Sequence, residues 1–293
     1  MLRLLIPATL LLTLAACDPA VTPSGFDAQT FDVAANDAVV LGGDATTTSA
    51  DLTGTWALVT DWSTCVAIGD SIELRNYELS RVEIVQDGVQ LREAREDCTV
   101  VNTPLLGLVT VIPQPAVDSA NPMYSAAFVP AKGPGAPYIG GVEVQTWGLK
   151  FANPETDTMP VDAEDTHVVD SDKDGHPGVT LKVGGVCELY AVQRAIMVRT
   201  GQMDADGSFS GGGARHVVQL PLGSSQGFCA QAFTTISNQT TNHWRMVRVD
   251  KQGMNLDQDG DGKVSCNEIV QNQALYTSWL EPDSARCATA FQP

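Results

Sequence analysis

Between Arg81 and Glu93 the chain alternates side-chain character in two short runs. Arg81-Val-Glu-Ile-Val-Gln86 runs up to Asp87-Gly88, and Val89-Gln-Leu-Arg-Glu93 runs away from it. A period of two places successive side chains on opposite faces of a strand, and Asp-Gly supplies the positive φ of a tight hairpin turn. This pattern predicts a β-hairpin. Further strand-like runs lie at 54–60, 105–112, 141–150, 179–183, 186–199, 214–220 and 243–249, each broken by Gly, Pro or Asp. Helical periodicity before residue 265 is nearly absent. The expected fold is mainly β: a barrel or sandwich of short antiparallel strands, with a short C-terminal helix.

An internal duplication is suggested by element order. Gly54-Thr-Trp-Ala-Leu-Val59, Cys65, the Asp87-Gly88 turn and Val100-Val-Asn-Thr-Pro-Leu-Leu-Gly107 follow one another. Gly178-Val-Thr-Leu-Lys-Val183, Cys187, Asp206-Gly207 and Val217-Val-Gln-Leu-Pro-Leu-Gly223 repeat that order about 120 residues on. The expected organisation is a leader over 1–16, a tether over 17–50, a β-domain over 51–250 with repeats 51–135 and 136–250, and a C-terminal unit over 251–293. The tether is assigned because its Ala, Thr, Asp, Gly and Ser content cannot bury a core.

Met1-Leu-Arg3, an apolar run from Leu4 to Leu14 and small residues read as a secretory signal peptide. Leu14-Ala-Ala-Cys17 resembles a bacterial lipobox, which implies cleavage before Cys17 and lipidation of that cysteine. The expected location is the cell envelope, anchored to a membrane that faces the periplasm or the cell surface. The chain has seven cysteines. Setting Cys17 aside leaves Cys65, Cys98, Cys187, Cys229, Cys266 and Cys287, an even set that predicts disulfides in an exported chain. Six cysteines allow fifteen pairings; proximity in sequence favours 65–98, 187–229 and 266–287.

The formal net charge is −18, and loss of Arg3 with the leader takes it to −19. Such a chain repels nucleic acid and attracts cations. Asp257-Gln-Asp-Gly-Asp-Gly-Lys-Val-Ser-Cys-Asn-Glu268 concentrates that charge. Carboxylates at alternate positions of a tight loop converge on one point, as a calcium ion with six to eight oxygen ligands requires. The stretch resembles an EF-hand loop over its twelve positions. The resemblance implies ligation by Asp257, Asp259 and Asp261, by the backbone carbonyl of Lys263, by Ser265 directly or through water, and by both oxygens of Glu268. Gly262 makes the sharp turn and Val264 pins the loop to a core. A helix is expected after Glu268, with Ile269, Ala274 or Leu275, and Trp279 on one face. Gly253 argues against a helix before the loop, so the motif resembles the half EF-hand of dockerins and other extracellular calcium modules, without the second loop a dockerin carries.

A shorter match, Asp170-Ser-Asp-Lys-Asp-Gly175-His-Pro-Gly178, supplies Asp170, Asp172, Asp174 and the His176 carbonyl as a second, tentative metal set. Truncated loops of this kind also resemble thrombospondin-type calcium repeats. Leu181 stands at the twelfth position and cannot ligate; Asp162, Glu164 and Asp165 upstream are alternative donors. The bland reading is an acidic turn. Asp204-Ala-Asp206-Gly207 reads as a hairpin turn.

Gly54-Thr-Trp56 resembles the Gly-x-Trp of lipocalins, which implies an Arg of the last strand, here Arg245 or Arg248, packed on the Trp. Gly223-Ser-Ser225-Gln-Gly227 fits a hydrolase nucleophile elbow, but that elbow needs an α/β chain, and no acid lies between Ser225 and His243. No catalytic residues are assigned. The lipobox, the Asp170–Gly178 stretch and the β-rich body together resemble exported acidic lipoproteins of some Gram-negative bacteria. The expected function is calcium-stabilised surface interaction with a protein or small-molecule partner. A lipocalin-like small-ligand carrier is the alternative, and a hydrolase comes third.

Overall fold

The computed structural model describes residues 51–278, apart from 69, 103, 105–107, 228–234, 238–241 and 251. Cys17, Cys229, Cys287, Trp279, the leader and the tether lie outside the described residues. The described chain is mainly β, in one antiparallel sheet of twelve strands. In chain order they are β1 (Gly54–Ile68), β2 (Asp70–Asp87), β3 (Gln90–Asn102), β4 (Thr110–Val111), β5 (Met123–Phe128), β6 (Pro137–Gly140), β7 (Glu143–Trp147), β8 (Val179–Val183), β9 (Cys187–Met203), β10 (Phe209–Ser224), β11 (Thr235–Ser237) and β12 (His243–Arg248). Two short helices, α1 (Gln114–Ser119) and α2 (Cys266–Gln271), accompany them.

The predicted hairpin forms: β2 and β3 pair from Asp87↔Gln90 to Asn76↔Asn102, with Gly88 at φ 63°. A second long hairpin, β9–β10, turns at Asp204–Gly207 as expected. The strand pairings return to their start. β1, β2, β3, β5, β6, β9, β10 and β12 are joined in that order, and β12 pairs back onto β1. This is an eight-member ring in chain order. β9 is long enough to carry β8, β7 and β6 in succession along one edge, with β10 on the other.

Several expectations change. Residues 105–112 keep strand only at β4 among the described residues. The strand expected at 141–150 is the shorter β7, and a separate strand, β6, precedes it beyond Gly141 and Val142. Helix α1 and strand β5 were not anticipated. The helix expected after Glu268 is six residues followed by a 3-10 turn at Gln273–Leu275; Leu275 is exposed, and Tyr276 fills the buried face beside Ile269.

The β1 run Thr-Trp-Ala-Leu-Val reads as continuously apolar because both its faces are covered. Trp56 and Leu58 join a cluster to which all eight ring strands contribute, including Val82, Leu91, Ala127, Tyr138, Met203, Phe209 and Trp244. That cluster is the inside of the ring. Ala57 and Val59 face outward into a second cluster with Leu256, Val264, Ile269 and Tyr276. The C-terminal loop therefore packs on the outside of the ring.

Inside, β9 and β10 cross at Gly201↔Gly211. A Cβ on Gly201 would run into the Ser210 carbonyl and stand 2.8 Å from the Trp244 ring. Two of the obstacles are backbone and a buried indole, so neither can move aside. Gly201→Ala is expected to cost about 1–3 kcal/mol, as overpacking does, read from the urea midpoint at unchanged slope.

Candidate metal centre

The loop at 257 leaves β12 through a turn, not a helix: Met254 N–H donates to the Arg248 carbonyl and Leu256 N–H to the Val249 carbonyl. Leu256 and Val264 anchor its two ends in the outer cluster. Gly262, at φ 88°, takes the left-handed conformation that a side chain would resist. Its N–H donates to Asp257 Oδ2 (3.1 Å), Asp261 N–H to Asp259 Oδ1 (3.1 Å), and Lys263 N–H to Asp261 Oδ1 (2.8 Å). Oxygens of Asp257, Asp259 and Asp261 gather within 4.8 Å of one another. Asp257 Oδ1 is buried with no hydrogen-bond partner. Such an atom is costly to leave unpaired, and a cation among the three carboxylates would satisfy it.

Glu268 stands beside this cluster. Its Oε1 accepts from Gln258 N–H (2.7 Å), and its Oε2 from Ser265 N–H (2.8 Å) and Oγ (2.9 Å). Ser265 caps α2, and the pair forms a capping box. The backbone N–H groups of Ser265 and Gln258 lead in holding the carboxyl below its usual range, so it is charged at neutral pH. The hard, all-oxygen donor set suits Ca²⁺ or Mg²⁺ and not a thiolate-seeking metal.

The loop at 170 has the same local pattern. Asp170 Oδ2 accepts from Gly175 N–H (2.9 Å), and Asp174 Oδ1 from His176 N–H (2.9 Å). Asp170, Asp172 and Asp174 gather within 4.8 Å. Asp172 Oδ2 takes the N–H of Thr180 (2.9 Å), and its Oδ1 is buried without a partner. Burial raises the Asp172 carboxyl and outweighs that N–H, with Asp174 and Asp170 adding to the rise. Leu181 points into the core. The upstream acids are not brought in: Asp165 holds His167 through N–H and Nδ1, and Asp162 caps Glu164.

The disulfide expectation is corrected. Cys98 of β3 bonds Cys266, tying the acidic loop at 257 to the ring across 168 residues. Pairings 65–98 and 266–287 are thereby excluded. Sequence proximity failed because α2 folds back over β3. Cys65 and Cys187 are also half-cystines.

A layer of buried charge fills the ring beyond its aromatic cluster. Arg95, fully buried, donates to Glu78 (2.7 Å), Asp97 (2.9 Å) and Glu143 (2.5 Å). Arg215 also holds Glu78 (3.1 Å), and Arg199 holds Glu143 (3.3 Å) and Glu93 (3.0 Å). Burial alone would raise Glu78 and Glu143. The guanidiniums outweigh it and hold both below the usual range, Arg215 and Arg95 at Glu78, Arg95 and Arg199 at Glu143. Asp97, with Arg95 as its one close guanidinium, is left raised by burial. The available signal was alternation: Glu93, Arg95 and Asp97 share the inward face with Leu91.

Arg248 lies over Trp56 (5.8 Å to the ring centroid), the packing expected of Arg245 or Arg248, and it also donates to the Asp51 and Thr53 carbonyls. Arg245 instead pairs with Asp206. Ser225 sits after β10, where its N–H and Oγ bond the Glu188 backbone. These features define a mainly β protein with two acidic loops. No protein-family model, curated protein or solved structure matches the chain.

Proposed function

We propose that this is an exported, lipid-anchored calcium-binding protein in which calcium at Asp257–Glu268 fixes a surface for interaction with a partner. The observation that carries the reading is the convergence of Asp257, Asp259 and Asp261, with buried Asp257 Oδ1 unsatisfied. The anchor rests on the lipobox ending at Cys17 and places the protein at the cell envelope. Asp257, Asp259, Asp261, the Lys263 carbonyl, Ser265 and Glu268 are the proposed ligands. Asp170, Asp172, Asp174 and the His176 carbonyl form a weaker set, because Leu181 stands at the twelfth position and no further acid joins the three among the described residues.

The carrier alternative draws support from the ring order and the Trp56–Arg248 contact. Against it, Trp56, Trp62, Trp244, Tyr138, Phe209 and Arg95 occupy the interior, each buried. A hollow apolar chamber is what a carrier needs, so the interaction reading is favoured. Native mass spectrometry of the purified protein in millimolar calcium is expected to show one ion retained in preference, lost in Asp257→Asn and kept in Asp172→Asn. Retention unchanged in Asp257→Asn would refute the assignment.

A further inference from the structure

We propose that the Cys98–Cys266 bridge gates this calcium site, so that the loop reaches full affinity only after oxidation; the proposal rests on the calcium reading above. Cys266 is the tenth position of the loop and the first residue of α2, two residues before Glu268. α2 has six residues, too few to hold a helix without tertiary support. What keeps Glu268 beside the three aspartates therefore includes the way this first turn is fastened. Among the described residues it is held by the Ser265–Glu268 capping box and the Gln258 N–H, by the apolar seat of Val264 and Ile269, by a long contact from Arg81 Nη1 to the Val264 carbonyl (3.4 Å), and by the bridge to β3. The bridge alone is covalent and sits within the ligand sequence.

The bridge is also reachable. A cleft of about 440 Å³ is lined by Cys98, Thr99, Gln114, Asp118, Ser265 and Cys266, so solvent reaches one side of it. An external dithiol would reduce it by two exchange steps. The first thiolate attacks one sulfur, breaking the Cys98–Cys266 bond and forming a mixed disulfide. The donor's second thiolate then displaces that cysteine, and the donor leaves as its own disulfide. Two electrons and two protons pass to the protein, which ends with two thiols. A reduced chain would thus carry a loosened site, and an exported, oxidised chain a closed one.

Coupling of this kind is reciprocal. Calcium affinity is compared by isothermal titration between the oxidised protein and Cys98→Ser/Cys266→Ser, which spares the other cysteines. The variant is expected to bind roughly tenfold or more weakly, within the usual range of site-to-site coupling. Because the substitutions also loosen the fold, a second arm uses the unaltered chain. It is equilibrated in glutathione buffers of stepped ratio, with calcium or with chelator, and the bridged Cys98–Cys266 peptide is counted by mass spectrometry. Calcium is expected to shift the midpoint towards resistance by the same factor. If the oxidised protein binds calcium but the midpoints coincide, gating is overturned and the calcium reading stands. If the oxidised protein binds no calcium, both fall.

Discussion

Arg95→Met is expected to remove about 3–5 kcal/mol of stability, the cost of stranding buried partners of an ion pair. For a domain whose whole margin is about 5–15 kcal/mol, much of the population would unfold at mild urea. The size follows from the partners left behind. Glu78 retains Arg215, and Glu143 retains Arg199. Among the described residues the Asp97 carboxylate retains only neutral donors, Ser80 Oγ (2.7 Å) and Gln145 Nε2 (2.7 Å). Adding Asp97→Asn to Arg95→Met should therefore recover part of the loss, a coupling expected of residues in one network. The pH dependence has a definite sign. Glu78 and Glu143, held below the ordinary glutamate value of 4.5, contribute stability above that value and lose it as pH falls through their folded values. Without Arg95 those folded values rise, and protonation then relieves the stranded charge. The deficit of Arg95→Met should shrink between pH 7 and pH 4. A deficit that stays constant would assign it to lost packing.

Calcium at a hundred times its dissociation constant should stabilise the protein by about 2.7 kcal/mol. For a chain of this size that is a rise in Tm of roughly 5–10 °C, reversed by chelator. Glu268→Gln should abolish the rise while costing little without calcium. The substituted amide keeps an oxygen that can accept one of the N–H bonds now made to Glu268, so most of the cap persists. What is lost is the anionic bidentate ligand. Scanning calorimetry of both proteins, with calcium and with chelator, separates the two effects. A calcium-dependent rise that survives Glu268→Gln but not Asp172→Asn would move the site to the loop at 170.

The features legible in the sequence are those with a local cause. Asp87-Gly88 dictates its turn through positive φ, and the β2–β3 hairpin follows. Asp204–Gly207 does the same for β9–β10. The two acidic loops are contiguous in sequence, so their convergence could be read from spacing alone, and Gly253 ruled out an entering helix. What escaped depends on contacts distant along the chain. The Cys98–Cys266 bond depends on where α2 lands. The charged layer inside the ring is not marked by composition, because Arg92, Glu93, Arg95 and Glu96 put charge on both sides of β3. Alternation puts Glu93, Arg95 and Asp97 on the face of Leu91, and ring closure makes that face the interior. β5 and β6 are short and flanked by proline and glycine, so their composition resembled loop, and α1 is too brief to show a period. Tyr276, not Leu275, closes the helix face because a 3-10 turn follows α2 and changes the angular spacing.

The most direct test of the central claim is an isothermal titration of the oxidised, calcium-free protein with calcium chloride, beside Glu268→Gln. The account predicts saturable binding heat with a Kd of about 10⁻⁴–10⁻³ M, the range of extracellular modules, and its loss in Glu268→Gln. No binding heat from the unaltered protein, or an unchanged isotherm from the variant, would contradict it.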